Sequence, residues 1–248
     1  MTTKSVRAHE TRIEIDAPIE EVWKALTDAT EIARWFAPKM TVEPGVGGFV
    51  IADWGPGIEW KTAIEVWEPN KHLRLVETRD RALSPTETEQ LEPCRLLQDF
   101  YLEAQGGKTV LRLVHSGFGS SKGWDHEYEG TQGGWKACFL RLKTGLERHR
   151  HSSVHNVIVS KVCEDITHSQ ILQKVESAAP EPLDVAIRHG YQVCGYLPRH
   201  NGSIVSISAQ PTPNGAVAFV ELMLYGLSDD ESKQVENNWR NAVNRALK

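Results

Sequence analysis

Apolar and polar positions change period several times along the chain, and each change marks an element. Ile13 and Ile15 share one phase of a two-residue alternation, which predicts a strand over residues 6–15. Asp16 then stands at a cap position and Pro18 in a first helical turn, where a missing N–H is harmless. Ile19, Val22, Trp23 and Leu26 follow helical spacing, so a helix with one buried face follows. Asp28 and Thr30 punctuate it, and residues 31–36 read as a second short helix stopped before Pro38.

From Met40 onward the period is two. Strands are predicted over 49–54, 58–67, 72–78, 95–103 and 109–115, separated by turn signals at 54–57, at Pro69-Asn70 and at Gly106-Gly107. In the second of these, Ile58, Trp60, Thr62, Ile64 and Val66 alternate with Glu59, Lys61 and Glu65, the mark of one buried face. Residues 79–93 are polar, carry two prolines and read as a long loop, and 116–123 read as a glycine-serine loop. Trp135, Phe139, Leu142 and Leu146 then recur at helical spacing, predicting a long helix that closes the region. A polar stretch at 148–153 marks a boundary, giving a domain over 1–150 and a shorter α+β domain over 151–248.

In the second region 191–197, 203–210 and 216–226 read as strands. At an offset of 149, Asp16, Val22, Trp23 and Leu26 meet Asp165, Ile171, Leu172 and Val175, and Trp135–Phe139 parallels Trp239–Val243. A truncated second copy of the first region is one reading, and chance similarity between amphipathic helices is the other.

Composition narrows the functional classes. The 248 residues carry a net charge of −5 and 25% charged side chains, which leaves no electrostatic case for nucleic acid or an anionic membrane. No apolar run approaches the roughly 20 residues of a membrane span. The first twelve residues lack the apolar core of a secretory leader, and the four cysteines are scattered, so a reducing cytoplasm is expected. No motif for a cofactor, phosphate loop or metalloprotease occurs. His149, His151 and His155 lie in a polar linker with no spacing that completes a metal site, and neither metal nor cofactor is expected.

Five ordered segments carry a family pattern: IDAPIEEVWKALTDATEIARWF, GGFVIADWGPG, TAIEVWEPNKHLRLVE, TVLRLVHSGFG and GGWKACFLRLKTGLE. Together they resemble the activator-of-heat-shock-protein-ATPase homologue family within the START-like (SRPBCC) superfamily. The resemblance implies a helix-grip fold, a curved antiparallel sheet wrapped on a long C-terminal helix with a cavity between them. Superfamily members bind lipids, polyketides or other apolar molecules, some cyclise polyketides, and some stimulate a chaperone ATPase. The polar stretch at 79–93 is longer than the family's usual connection.

Against that frame Trp35, Phe36, Trp54, Trp60, His115, Phe118, Trp124, Tyr128, Trp135 and Phe139 are the expected ligand-binding set. Tryptophan offers a large apolar face and one donor, which suits flat ring-bearing ligands, and the chain has eight. His115 shares a phase with Leu111 and Leu113, where it is either an acid, base or ligand-orienting donor or a structural histidine. Asp53 and Glu59 flank a turn, and Asp125 reads as a helix cap with Glu127 complementing the helix dipole. The leading expectation is a non-enzymatic protein holding an apolar, aromatic small molecule. The alternatives are a chaperone-ATPase-activating module and a cyclase or hydrolase using His115. Residues 151–248 would pack on the first domain or make a homodimer contact.

Overall fold

The computed structural model describes residues 6–55, 59–79, 94–212 and 214–248. It divides the chain into two units, Met1–Arg150 and His151–Lys248. No helix among the described residues is long and apolar enough to cross a membrane.

The first unit runs β1 (Val6–Ile15), α1 (Ile19–Thr27), α2 (Ala29–Ile32), then β2 (Lys39–Glu43), β3 (Phe49–Asp53), β4 (Glu59–Glu68), β5 (His72–Arg79), β6 (Cys94–Gln105) and β7 (Lys108–Gly119), and ends in α3 (Asp125–Arg148). Strands β2 to β7 form an antiparallel meander, and β1 closes on the far side of β7, giving the order β1-β7-β6-β5-β4-β3-β2. One face of this sheet carries Val50, Ile64, Leu73, Leu75, Phe100, Leu102, Leu111 and Leu113, which share a core with Val22 and Leu26 of α1 and Trp135, Phe139 and Leu142 of α3. This is an α+β helix-grip arrangement, a curved sheet with its long last helix on the inner face.

The second unit repeats that element order with two strands fewer. β8 (Val154–Glu164) leads to α4 (His168–Ser177), the meander β9 (Asp184–His189), β10 (Gln192–Leu197), β11 (Ser203–Thr212) and β12 (Gly215–Tyr225), and then α5 (Asp229–Ala246). Its first strand again pairs with its last, in the order β8-β12-β11-β10-β9. Both helices begin in capping boxes, Thr167 with Gln170 and Ser228 with Glu231, each satisfying two helix-end donors.

Several local expectations need correction. Helix α1 starts at Ile19 with Pro18 as its cap residue, and no side chain caps it, so Asp16 is not the cap. The next helix spans only Ala29–Ile32, capped by Asp28, whose carboxylate accepts from the Glu31 N–H. Asp125 is the first residue of α3 and follows the cap residue Trp124; its carboxylate takes an Arg7 guanidinium N–H at 2.6 Å. Strands β8 and β9 carry no clear alternation in the sequence and were not expected. The turn at Pro56-Gly57 and most of the polar loop, residues 80–93, lie outside the described residues.

The largest correction concerns the glycine-serine stretch after His115. It is the end of β7, which continues to Gly119 and pairs with β1 through a bulge at Arg7/Ala8. Gly117 makes this possible. Its φ is +100°, and a Cβ there would lie 2.1 Å from the Arg95 carbonyl oxygen. The bulge breaks the two-residue phase, so that His115 and Phe118 both face inward. Gly117→Ala should therefore lower the urea midpoint markedly more than Gly107→Ala. Gly107 also has positive φ (+87°) but a Cβ there meets open space, so the difference isolates the backbone clash.

Candidate functional site

The inner face of the first sheet carries a row of polar side chains where a core would hold aliphatics. His9 of β1 pairs with His115 of β7, and His115 with Gln98 of β6. Glu77 of β5 pairs with Leu96, one same-face step from Gln98, and Thr62 of β4 precedes Ala63, the residue next to Ile64 in register with β5. Directly opposed residues of an antiparallel pair point to the same face. Thr62, Glu77, Gln98, His115 and His9 thus cross five adjacent strands, and all are buried.

Hydrogen bonds fix both histidines. The Trp135 indole N–H donates to His115 Nδ1 at 3.1 Å. An indole nitrogen is a donor only, so His115 carries its ring proton on Nε2. Thr131 of α3 gives its hydroxyl proton to the Glu127 carbonyl at 2.8 Å and accepts from His9 Nε2 at 3.0 Å, which assigns His9 the same tautomer. The two imidazoles stand edge to face, 5.2 Å between centroids. Each therefore ties the sheet to α3. With Nδ1 engaged by Trp135, His115 presents no basic nitrogen on that side.

Around this row the expected aromatic residues fall into two groups. Phe36 stacks on Trp135 at 5.5 Å and meets Trp54 edge to face at 5.2 Å, and Trp54 meets Trp60 at 5.4 Å. Phe36, Trp54 and Trp60 are half-buried, so the series leads from the buried Trp135 outward. In the second group Phe118 and Trp124 pack with Leu96 and Tyr128 in a small core of their own. Tyr128 lies under the Arg7 guanidinium and donates its hydroxyl to the Ala8 carbonyl at 3.0 Å. Trp35 is scaffold, buried and donating its indole N–H to the Ala25 carbonyl at 2.8 Å. Phe139 sits in the main core.

Of the carboxylates flagged in the sequence, Asp53 points away from buried Val50 and Ala52; it holds the Gly55 N–H at 2.8 Å and Lys39 at 3.4 Å. His149 ends α3, and His155 lies 3.6 Å from Asp229. Among the described residues no group of three or more His, Cys, Asp or Glu side chains is placed to hold a metal. On the opposite face of the sheet, one oxygen of Asp99 meets His72 at 2.6 Å and Arg74 at 2.7 Å. The Asp99 hydrogen bond holds the Arg74 guanidinium above its ordinary pKa.

Sequence reasoning missed Glu77, Gln98, His9 and Thr11. A signal was present: Glu77 falls in phase with Leu73 and Leu75, and Gln98 in phase with Leu96, Phe100 and Leu102, a polar residue at an apolar beat.

The equivalent face of the second unit is dry. Its last hairpin, β11–β12, presents Val205, Ile207, Ala209, Ala216, Ala218, Val220, Leu222 and Leu224 to α4 and α5. The same strand–helix–meander–helix order therefore closes on a mainly aliphatic core, with Trp239 of α5 buried in it.

The sequence profile of the family described as Activator of Hsp90 ATPase homolog 1-like protein matches residues 16–147. No curated protein matches the chain. Among solved structures, a protein from Mesorhizobium loti is 28% identical over 56% of this chain and 95% of its own, with a TM-score of 0.47. The Aha1 dimer from Colwellia psychrerythraea is 22% identical over 57% and 97%, with a TM-score of 0.46. The di-domain ARO/CYC protein BexL of the BE-7585A biosynthetic pathway is 14% identical over 97% and 93%, with a TM-score of 0.49.

Trp135→Phe keeps the ring on Phe36 and Phe100 but removes the donor to His115. Leaving a buried acceptor unmade costs about 1–3 kcal/mol, so chemical denaturation should show a loss of about that size. Imidazole 15N shifts should show His115 no longer held in one tautomer.

Proposed function

The chain belongs to the family of Activator of Hsp90 ATPase homolog 1-like proteins, and from that premise we propose that its first unit is a binding module. It holds an apolar, ring-bearing small molecule between the inner face of the sheet and α3, without transforming it. The observation that carries the reading is the polar row Thr62, Glu77, Gln98, His115 and His9. Thr62, His9 and His115 find protein partners, and the row gives the face between sheet and helix a polar character that can orient a ligand, where the second unit closes the same element order on a mainly aliphatic core. The half-buried series Phe36, Trp54 and Trp60 supplies flat apolar walls beside the row.

A binding role fits better than catalysis by His115, because that histidine's Nδ1 is taken by an indole donor. We read His151–Lys248 as a shortened second copy whose core is filled, with a structural role rather than a second ligand site. The thiols of Cys138, Cys163 and Cys194, which form no disulfide, suit a cytoplasmic protein. The family's description makes a chaperone-facing role the second reading; stimulation of a chaperone ATPase by the purified chain would favour it.

A panel of fused-ring aromatic compounds should raise the melting temperature by several degrees and quench tryptophan emission. Each effect should weaken in Trp60→Ala, which shortens the aromatic wall without touching the main core. A panel that moves neither the melting temperature nor the emission would remove the binding reading.

A further inference from the structure

Glu181 of the second unit is a buried carboxylate that its surroundings leave half-bound. It stands between Pro180 and Pro182 in the loop from α4 to β9; both prolines are exposed, while Glu181 keeps only 7% of its surface. The two rings fix φ on either side of it, and the second restricts the backbone of Glu181 itself, so the side chain is presented in a set direction. Proline has no N–H, so neither neighbour can donate to the carboxylate. One oxygen, Oε1, accepts from His200 Nδ1 at 2.5 Å, and the other, Oε2, is buried without a hydrogen-bond partner among the described residues. A carboxylate removed from water in that condition opposes folding. Glu181 also forms part of the wall of a cleft of about 440 Å³, whose other walls include Pro180, Pro182, Leu183 and Val185. The second acid in the wall, Glu176, is already engaged: Arg188 donates to its two oxygens at 2.6 and 3.0 Å. The place is not a second copy of the site between sheet and helix, because the core of this unit is filled.

We propose that this cleft binds a primary ammonium on an aliphatic stem, with Glu181 Oε2 as its acceptor. Three features select that chemistry. The acceptor is anionic, and Ser177, the last residue of α4, lies in the same wall, so the helix's negative end adds to the attraction for a cation. Only one carboxylate oxygen is open. A guanidinium grips a carboxylate best through both oxygens, whereas an ammonium is a point donor that needs one. Among the described residues no group of three or more His, Cys, Asp or Glu side chains is placed to hold a metal, so a divalent cation lacks its ligand set. The prolines, Leu183 and Val185 supply apolar wall for the methylenes behind the charge. β9 is the last strand of its sheet and Val185 is 38% exposed, so the stem has a way in. The loop shields Oε2 from solvent; the ammonium reaches it as the loop gives way slightly, and the charge-assisted bond offsets that opening. A free alkylamine and the lysine of a partner protein share this chemistry.

The test titrates the full chain at neutral pH with n-pentylamine, 1-pentanol and n-pentylguanidine, followed by NMR of the His200 imidazole and the Val185 methyls. Pentylamine should move both sets of signals in one saturable transition. It should bind about tenfold more tightly than pentanol, the worth of one charge-assisted bond, and more tightly than pentylguanidine. Glu181→Gln keeps an acceptor for His200 but replaces the open carboxylate oxygen, so pentylamine should bind at least about tenfold more weakly. Glu176→Gln, in the same wall, should change its Kd by less than about threefold, which separates Glu181 from a general acidic field. Nα-acetyl-lysine N-methylamide identifies the source: binding equal to pentylamine points to a partner's lysine, and binding of pentylamine alone points to a free amine. Equal binding of pentanol and pentylamine, tighter binding of the guanidine, unchanged binding in Glu181→Gln, or no shift with any probe would each overturn the assignment. Should Glu181→Gln fail to fold, the order of the probes on the wild type decides by itself.

Discussion

One long helix has to cover a sheet wider than itself, and the rest of the first unit follows from that mismatch. Seven strands at about 4.8 Å spacing make a face on the order of 30 Å across, while a helix with its side chains spans about 10–12 Å. Helix α3 packs along the β1 side, α1 lies against β6 and β7, α2 lies against β2, and large side chains fill what is left. Tryptophan is the economical filler for such a gap, having the most apolar area per residue. Trp35, Trp54, Trp60 and Trp135 all lie on this side of the sheet or against its helices. The second unit has two strands fewer and two helices to cover them. It closes on valine, leucine and alanine with a single buried tryptophan, Trp239.

Polar residues occupy the inner phase of five neighbouring strands, and two of them, His9 and His115, are used to pin α3 through Thr131 and Trp135. Those bonds make the histidines part of the clamp and set their tautomers. The Thr11 hydroxyl, two residues from His9 on β1, is buried without a partner among the described residues. The electrostatic character of the face comes from Glu77, a carboxylate at the buried centre of β5.

The fold was legible in the sequence wherever burial is one-sided. Strand β1, the meander and α3 announce themselves through phases of two and of 3.6, and the family pattern ties them into a helix-grip. The readings that failed are those in which tertiary context outweighs local chemistry. Gly117 looks like a loop residue, but it extends β7 because only glycine tolerates the close approach of the Arg95 carbonyl. Asp16 and Asp125 look like caps; Asp125 instead ion-pairs with Arg7, 118 positions away in sequence. The aromatic half of the candidate site was visible because tryptophan is rare and conspicuous. The polar half was not, because Glu77 and Gln98 are ordinary residues whose meaning lies in their strand phase. Phase counts only once register and the covering helix are known.

Side-chain NMR of the full chain tests the central claim most directly, since the two units supply a site and its own control. On addition of 2-naphthol, the Gln98 carboxamide and the Trp60 and Trp135 indole resonances should shift together in one saturable transition. The Trp239 indole, in the dry core of the second unit, should stay in place. Unchanged Gln98 and Trp135 signals at saturating probe, or shifts centred on Trp239, would contradict a ligand site on the inner face of the first sheet.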